Sequence, residues 1–78
     1  MSAPVEQYGV VLFHTTSAAL RAEKLLKTAQ IKVKLIPVPR ELSSDCGISL
    51  RFLWPQEGEV RAVLAEGRLD LAGVHRIN

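Results

Sequence analysis

The chain has 78 residues, of which 47% are hydrophobic and 23% charged, and its formal net charge at pH 7 is +2. This length suits one small domain, and the composition is that of a folded protein and not of a disordered chain. The small net charge and the low aromatic content, 5% of residues, disfavour a nucleic-acid binder, which usually combines a basic stripe with stacking aromatic side chains.

Residues 1–7 have neither a basic start nor an apolar run, so they are predicted to be a short tail and not a signal peptide. A single domain is predicted over residues 8–78. No apolar stretch reaches the roughly 20 residues that a membrane span needs. The single cysteine, Cys46, has no partner for an intramolecular disulfide, which excludes a disulfide-rich secreted scaffold. These features predict a soluble cytoplasmic protein that does not associate with membranes.

The first predicted strand, residues 8–13, is apolar on both faces, as expected of a central strand. The hydroxyl residues that follow it offer three candidate N-caps. A helix is predicted from about Ser17 to Ala29, and its spacing of apolar positions is that of an amphipathic helix. The predicted buried face of this helix comprises Ala18, Ala22, Leu25, Leu26 and Ala29.

The remainder of the chain alternates strand and helix signals. A second strand is predicted at about 32–38, where lysines on one face and prolines at the end are typical of an edge strand. A third strand begins at Cys46 or Gly47 and runs through Phe52. A short helix is predicted at about 58–67, with Val60, Val63 and Leu64 inward, and a last strand at about 69–77.

The order β-α-β-β-α-β predicts an α+β fold of the ferredoxin-like sandwich type. In that topology the antiparallel sheet has the strand order 4-1-3-2 and both helices cover one face. The first strand ends, the first helix begins and the loop between strands two and three closes at the same end of the sheet. Cys46 is therefore expected beside the segment His14, Thr15, Thr16 and Ser17.

This placement would surround the Cys46 thiol with groups that favour its anion. A helix N-terminus carries a partial positive charge and lowers the pKa of a nearby thiol. The candidate binding and activating residues are His14, Thr15, Thr16, Ser17, Arg40, Ser43, Ser44 and Gly47. Asp45 acts in the opposite direction, because a carboxylate beside a thiolate raises the thiol pKa. The alternative is that Cys46 is a small structural residue at the start of a strand.

Metal binding is not expected, because His14, His75 and Cys46 are too few ligands and His75 lies towards the opposite end of the sheet. Arg51, on the sheet face away from the helices, is interpreted as a solvated surface cation. A Cys46–His14 pair for nucleophilic catalysis would need a third, orienting group.

Four segments carry a resemblance to a known family: 13–16, the Ala-Glu-Lys-Leu-Leu helix within 19–27, the run 34–41 that ends in Pro-Arg-Glu, and the Ser-Ser-Asp-Cys-Gly segment 43–47. Over residues 9 to 75 the chain resembles the selenium/sulfur carrier protein-like family of small bacterial domains. The resemblance implies that Cys46 is the position that holds sulfur or selenium as a persulfide or perselenide. Asp45 departs from the small hydroxyl residue associated with the position before the cysteine.

Three hypotheses remain. In the first, the protein is a chalcogen carrier and not an enzyme with a small-molecule substrate; Cys46 receives sulfur or selenium from a donor protein and passes it to an acceptor protein, without any other cofactor. In the second, it is a non-catalytic ferredoxin-like module that binds a small anion or a protein, and Cys46 is structural. In the third, it is a thiol enzyme or redox sensor that uses Cys46 with His14. Pairing of two copies through sheet faces or edges would give a homodimer.

Overall fold

The computed structural model describes residues 7–42 and 47–77. These residues form four strands and two helices, which follow one another along the chain in the predicted order. The strands are β1 (Tyr8–Phe13), β2 (Val33–Pro37), β3 (Ile48–Leu53) and β4 (Leu71–Ile77). The helices are α1 (Thr16–Thr28) and α2 (Glu57–Glu66), and a single 3₁₀ turn over Trp54–Gln56 leads into α2.

The described strands form one antiparallel sheet with the order β2-β3-β1-β4. This is the predicted 4-1-3-2 order, and it confirms the α+β, ferredoxin-like fold. The core cluster takes alternate residues from the central strands, Val11 and Phe13 from β1 and Leu50 and Phe52 from β3. The rest of this cluster comes from the two helices and from Ile31, which follows α1. Because alternate residues of a strand share one face, both helices cover the same face of the sheet.

Helix α1 begins one residue earlier than predicted because Thr15 is its N-cap. The Thr15 hydroxyl oxygen accepts a hydrogen bond from the Ala18 N–H at 3.1 Å. Since the helix ends at Thr28, the predicted burial of Ala29 is wrong. Ala29 is the exposed C-cap, and the chain then turns through Gln30 at a φ of 64°. The fully buried residues of this helix are Ala19, Ala22 and Leu26.

Helix α2 buries Val60 and Leu64 as predicted, with Val63 half-buried against the same core. Gly67 is its C-cap, also as predicted. The left-handed residue is the next one, Arg68, with a φ of 55°. A Cβ at Gly67 would lie 2.5 Å from Leu25 Cδ1, so the glycine allows the end of α2 to approach α1.

Gly9, in the middle of the sheet, allows a second close approach. A Cβ at this position would lie 2.5 Å from Trp54 Cε3 and 2.6 Å from Phe52 Cζ. The two rings stack on each other with their centroids 5.9 Å apart. Gly9 is therefore a packing residue, whose missing side chain makes room for the aromatic pair.

Candidate functional site at one end of the sheet

The end of β1, the start of α1 and the loop between β2 and β3 meet at one end of the sheet. Leu12 of β1 is paired with Ser49 of β3, and Ile48 is paired with Pro37 of β2. This register brings Gly47 and the beginning of the loop, after Pro37, to the level at which β1 ends. The predicted convergence of these three segments is confirmed for their described residues.

The start of α1 is open to solvent. His14, Thr15, Thr16 and Ser17 are all exposed. The first turn contains no acidic residue, so no carboxylate within it opposes the positive end of the helix dipole. Of the three hydroxyl residues proposed as N-caps, Thr15 takes that role, and its hydroxyl is engaged with the Ala18 N–H. This segment has the local electrostatics that an anionic group prefers.

The loop between β2 and β3 is closed at its base by backbone hydrogen bonds. The Val38 N–H donates to the Gly47 carbonyl at 3.3 Å, which extends the β2–β3 ladder by one step. The Leu42 N–H then donates to the Pro39 carbonyl at 3.0 Å and forms a turn with Arg40 exposed on it. Arg40 thus leaves the sheet at the same end as the start of α1.

Gly47 is exposed, and a Cβ added there would have no heavy atom within 4 Å. Its backbone does not have a positive φ. Neither packing within the described residues nor backbone conformation therefore requires glycine at this position. A glycine with open space beside it lets another molecule approach the backbone closely.

The predicted sulfur-bearing residue, Cys46, lies outside the described residues, as do Ser43, Ser44 and Asp45. Its position beside His14 to Ser17 therefore stays a prediction. The described residues that flank this segment, Leu42 and Gly47, belong to the loop that ends beside β1 and α1.

His75 is on β4 opposite Val10, towards the other end of the sheet, and its ring turns back along the strand. A Cβ at Gly73 would lie 2.9 Å from His75 Nε2, so the imidazole lies over that glycine. Within residues 7–42 and 47–77, no three His, Cys, Asp or Glu side chains are grouped as a metal site would require. Over the same ranges, no helix is long and apolar enough to span a membrane.

The structure also identifies a group of residues that sequence reasoning did not assemble. Arg51, interpreted from the sequence as a solvated cation, lies with its guanidinium carbon 4.5 Å from the centre of the Tyr8 ring. Lys34 of β2 is directly opposite Arg51 in the sheet. The alternation of residues along β2 and β3 indicates that Lys34 and Arg51 each lie on the face away from the core. It does not give the register that places these two cations opposite each other.

Comparisons with known proteins identify one family. The family model described as "Putative Se/S carrier protein-like" matches residues 8–76, nearly the whole chain. No curated protein and no solved structure matches the chain significantly. The match includes both helices and all four described strands except Ile77, the last residue of β4, and Cys46 is within it. The chain therefore belongs to the Se/S carrier protein-like family.

Proposed function

We propose that the protein carries sulfur or selenium, covalently bound to Cys46, from a donor protein to an acceptor protein. The observation that supports this most is membership of the Se/S carrier protein-like family. The open start of α1 and the exposed Arg40 turn support it further, because they flank the end of the loop that contains Cys46.

In the proposed loading step, the Cys46 thiolate attacks the terminal sulfur of a persulfide on the donor protein. A new S–S bond forms at Cys46 and the S–S bond of the donor breaks. The donor cysteine leaves as a thiolate, so the sulfur is transferred without an external oxidant or reductant. Selenium would follow the same course from a perselenide. Unloading is the reverse attack, by a thiolate of the acceptor.

Residues predicted to lie near Cys46 have proposed roles in this step. The helix dipole at His14 to Ser17 and the guanidinium of Arg40 would stabilise the anionic Cys46 and its loaded form. Gly47 would let the donor backbone approach the sulfur. Ser43 and Ser44 are proposed to donate hydrogen bonds to the bound chalcogen.

The reactivity of Cys46 tests this proposal. We expect the pH dependence of its alkylation to give a thiol pKa below the value of about 8.5 for free cysteine. The matched control is a synthetic peptide of residues 37–50, which has the same local sequence but lacks α1. A folded protein that reacts no faster than this peptide would show that Cys46 is not activated by the fold.

Two glycine variants distinguish an effect on donor access to the Cys46 sulfur from an effect on folding. Gly47→Ala and Gly58→Ala both add a methyl group where no heavy atom lies within 4 Å. Both variants should fold, but Gly47→Ala should slow sulfur transfer from a donor protein and Gly58→Ala should not. Equal transfer rates for the two variants would remove Gly47 from the proposed site.

A second candidate function, a binding module without carrier chemistry, is supported by the cations on the sheet. If Cys46→Ser left all partner binding intact and wild type accepted no sulfur, this function would replace the first. A thiol enzyme that uses Cys46 with His14 would instead turn over a small substrate, and Cys46→Ser and His14→Ala should then both abolish turnover.

A further inference from the structure

The sheet face opposite the helices, which we call the outer face, carries basic side chains and no acidic ones among its described residues. Its residues are those that alternate with the core positions along each strand: Tyr8, Val10, Leu12, Lys34, Ile36, Ser49, Arg51, Leu53, Gly73, His75 and Ile77. None of these is acidic. The acidic residues in the described part of the chain belong to the helices, to the turn after β2 and to the segment before β4: Glu23, Glu41, Glu57, Glu59, Glu66 and Asp70.

The cations of the outer face are not neutralised within the described residues. Lys34 and Arg51 are direct cross-strand neighbours, an arrangement of like charges that destabilises a sheet. By contrast, Lys27 and Arg61 on the helices pair with Glu23 and Glu57. Lys34 and Arg51 have no such acidic partner in residues 7–42 and 47–77.

Arg51 is held in place by Tyr8. Its guanidinium carbon lies 4.5 Å from the centre of the ring, and this contact leaves the N–H donors at the edge of the guanidinium for a ligand. Lys32, Lys34 and Arg51 line a cleft of about 250 Å³ together with Tyr8 and Leu53. The cleft therefore combines three cations, one of which is the guanidinium that lies on the Tyr8 ring.

We propose that the outer face is a docking surface for an acidic protein segment in extended conformation. Lys34, Arg51, Val10 and His75 form one row across the four strands. Val10 is fully buried, so the surface that a partner would contact in this row consists of the exposed Lys34 and His75 and the half-buried Arg51. The row spans roughly 14 Å at the usual strand spacing. Acidic side chains at alternate positions of an extended chain repeat every ~7 Å. Three such carboxylates would match the two cations and the imidazole of the row.

An acidic protein segment fits these residues better than nucleic acid does. Single-stranded nucleic acids bind through aromatic side chains on which bases stack. Tyr8 is the one aromatic residue of the outer face, and Arg51 already lies on its ring. The row from Lys34 to His75 is also too wide for one small anion to contact both of its ends.

The test is binding of a fluorescein-labelled peptide of alternating glutamate and serine, measured by fluorescence anisotropy. The same peptide with glutamine in place of glutamate is the probe control. Lys34→Glu is the disrupting variant, and Lys34→Gln is a milder one. Lys24→Glu is the matched charge control, because Lys24 is exposed on α1, away from the outer face. Cys46→Ser tests whether docking is separate from the proposed carrier chemistry.

We expect wild type to bind the glutamate peptide and not the glutamine peptide, with affinity falling as salt rises from about 50 to about 300 mM. Lys34→Glu should weaken binding about ten-fold or more, Lys34→Gln should weaken it less, and Lys24→Glu and Cys46→Ser should bind like wild type. Equal weakening by Lys34→Glu and Lys24→Glu would overturn the proposal, because net charge alone would then explain binding. Loss of binding in Cys46→Ser, or tighter binding of a single-stranded oligonucleotide than of the peptide, would also overturn it.

Discussion

The substitution Gly9→Ala tests how tightly the centre of the sheet is packed. The new Cβ would lie 2.5 Å from Trp54 Cε3 and 2.6 Å from Phe52 Cζ. Carbon atoms in contact are normally ~3.5 Å or more apart, so each ring would have to retreat by about 1 Å. The rings stack on each other and Phe52 is fully buried, which leaves little room for that movement.

We expect Gly9→Ala to lower the free energy of unfolding by about 1–3 kcal/mol, the usual cost of overpacking a core. A domain of this length has a total stability of roughly 4–12 kcal/mol, so the loss is measurable by urea denaturation. In thermal unfolding each kcal/mol should lower Tm by about 4–8 °C.

Gly58→Ala is the matched control for Gly9→Ala, because a Cβ there meets no heavy atom within 4 Å. Since Gly58 lies in α2, its replacement by alanine should stabilise the protein by about 0.5–1 kcal/mol. A loss below about 0.5 kcal/mol for Gly9→Ala, within the range of ordinary surface substitutions, would refute the claim that the aromatic pair requires glycine at position 9.

Three further predictions concern stability and can be checked by urea denaturation. Thr15→Ala should cost about 1 kcal/mol because it removes the N-cap hydrogen bond to Ala18, whereas Thr15→Ser should cost much less. Gln30→Gly should stabilise by about 1 kcal/mol, because Gln30 adopts a left-handed conformation that glycine accepts without strain; an unchanged stability would show that its side chain makes a compensating contact. Lys34→Glu should stabilise by roughly 0.2–1 kcal/mol, because it converts a like-charged cross-strand pair with Arg51 into an opposite-charged one. A loss of stability in Lys34→Glu would contradict the claim that the Lys34–Arg51 pair is unfavourable.

The order of elements and the sheet topology could be predicted because their signals are local. The alternation in β2, the helical spacing of α1 and the prolines at the end of β2 can each be recognised within a few residues of sequence. Local signals do not define the boundaries of α1, because several hydroxyl residues could serve as the N-cap. The structure selects Thr15, and the early end of the helix exposes Ala29, which the spacing alone had assigned to the core.

The features that sequence reasoning missed depend on contacts between distant segments. In the sequence Gly9 is an isolated glycine. Its packing role becomes apparent only from the three-dimensional structure, in which Trp54 and Phe52 lie against it. Lys34 and Arg51 are far apart in sequence and become neighbours only through the register of β2 and β3. The convergence of the loop ends with the start of α1 followed from topology, whereas the surroundings of Cys46 stay a prediction because this residue lies outside the described ranges.

The most direct test of the carrier function is intact-mass analysis after incubation with a persulfide donor. We predict that wild type gains the mass of one sulfur atom, that reduction with dithiothreitol removes it, and that Cys46→Ser gains none. Loading should be faster for the folded protein than for the peptide of residues 37–50. An equal gain on Cys46→Ser, or no gain on wild type, would contradict the proposal that Cys46 carries the chalcogen.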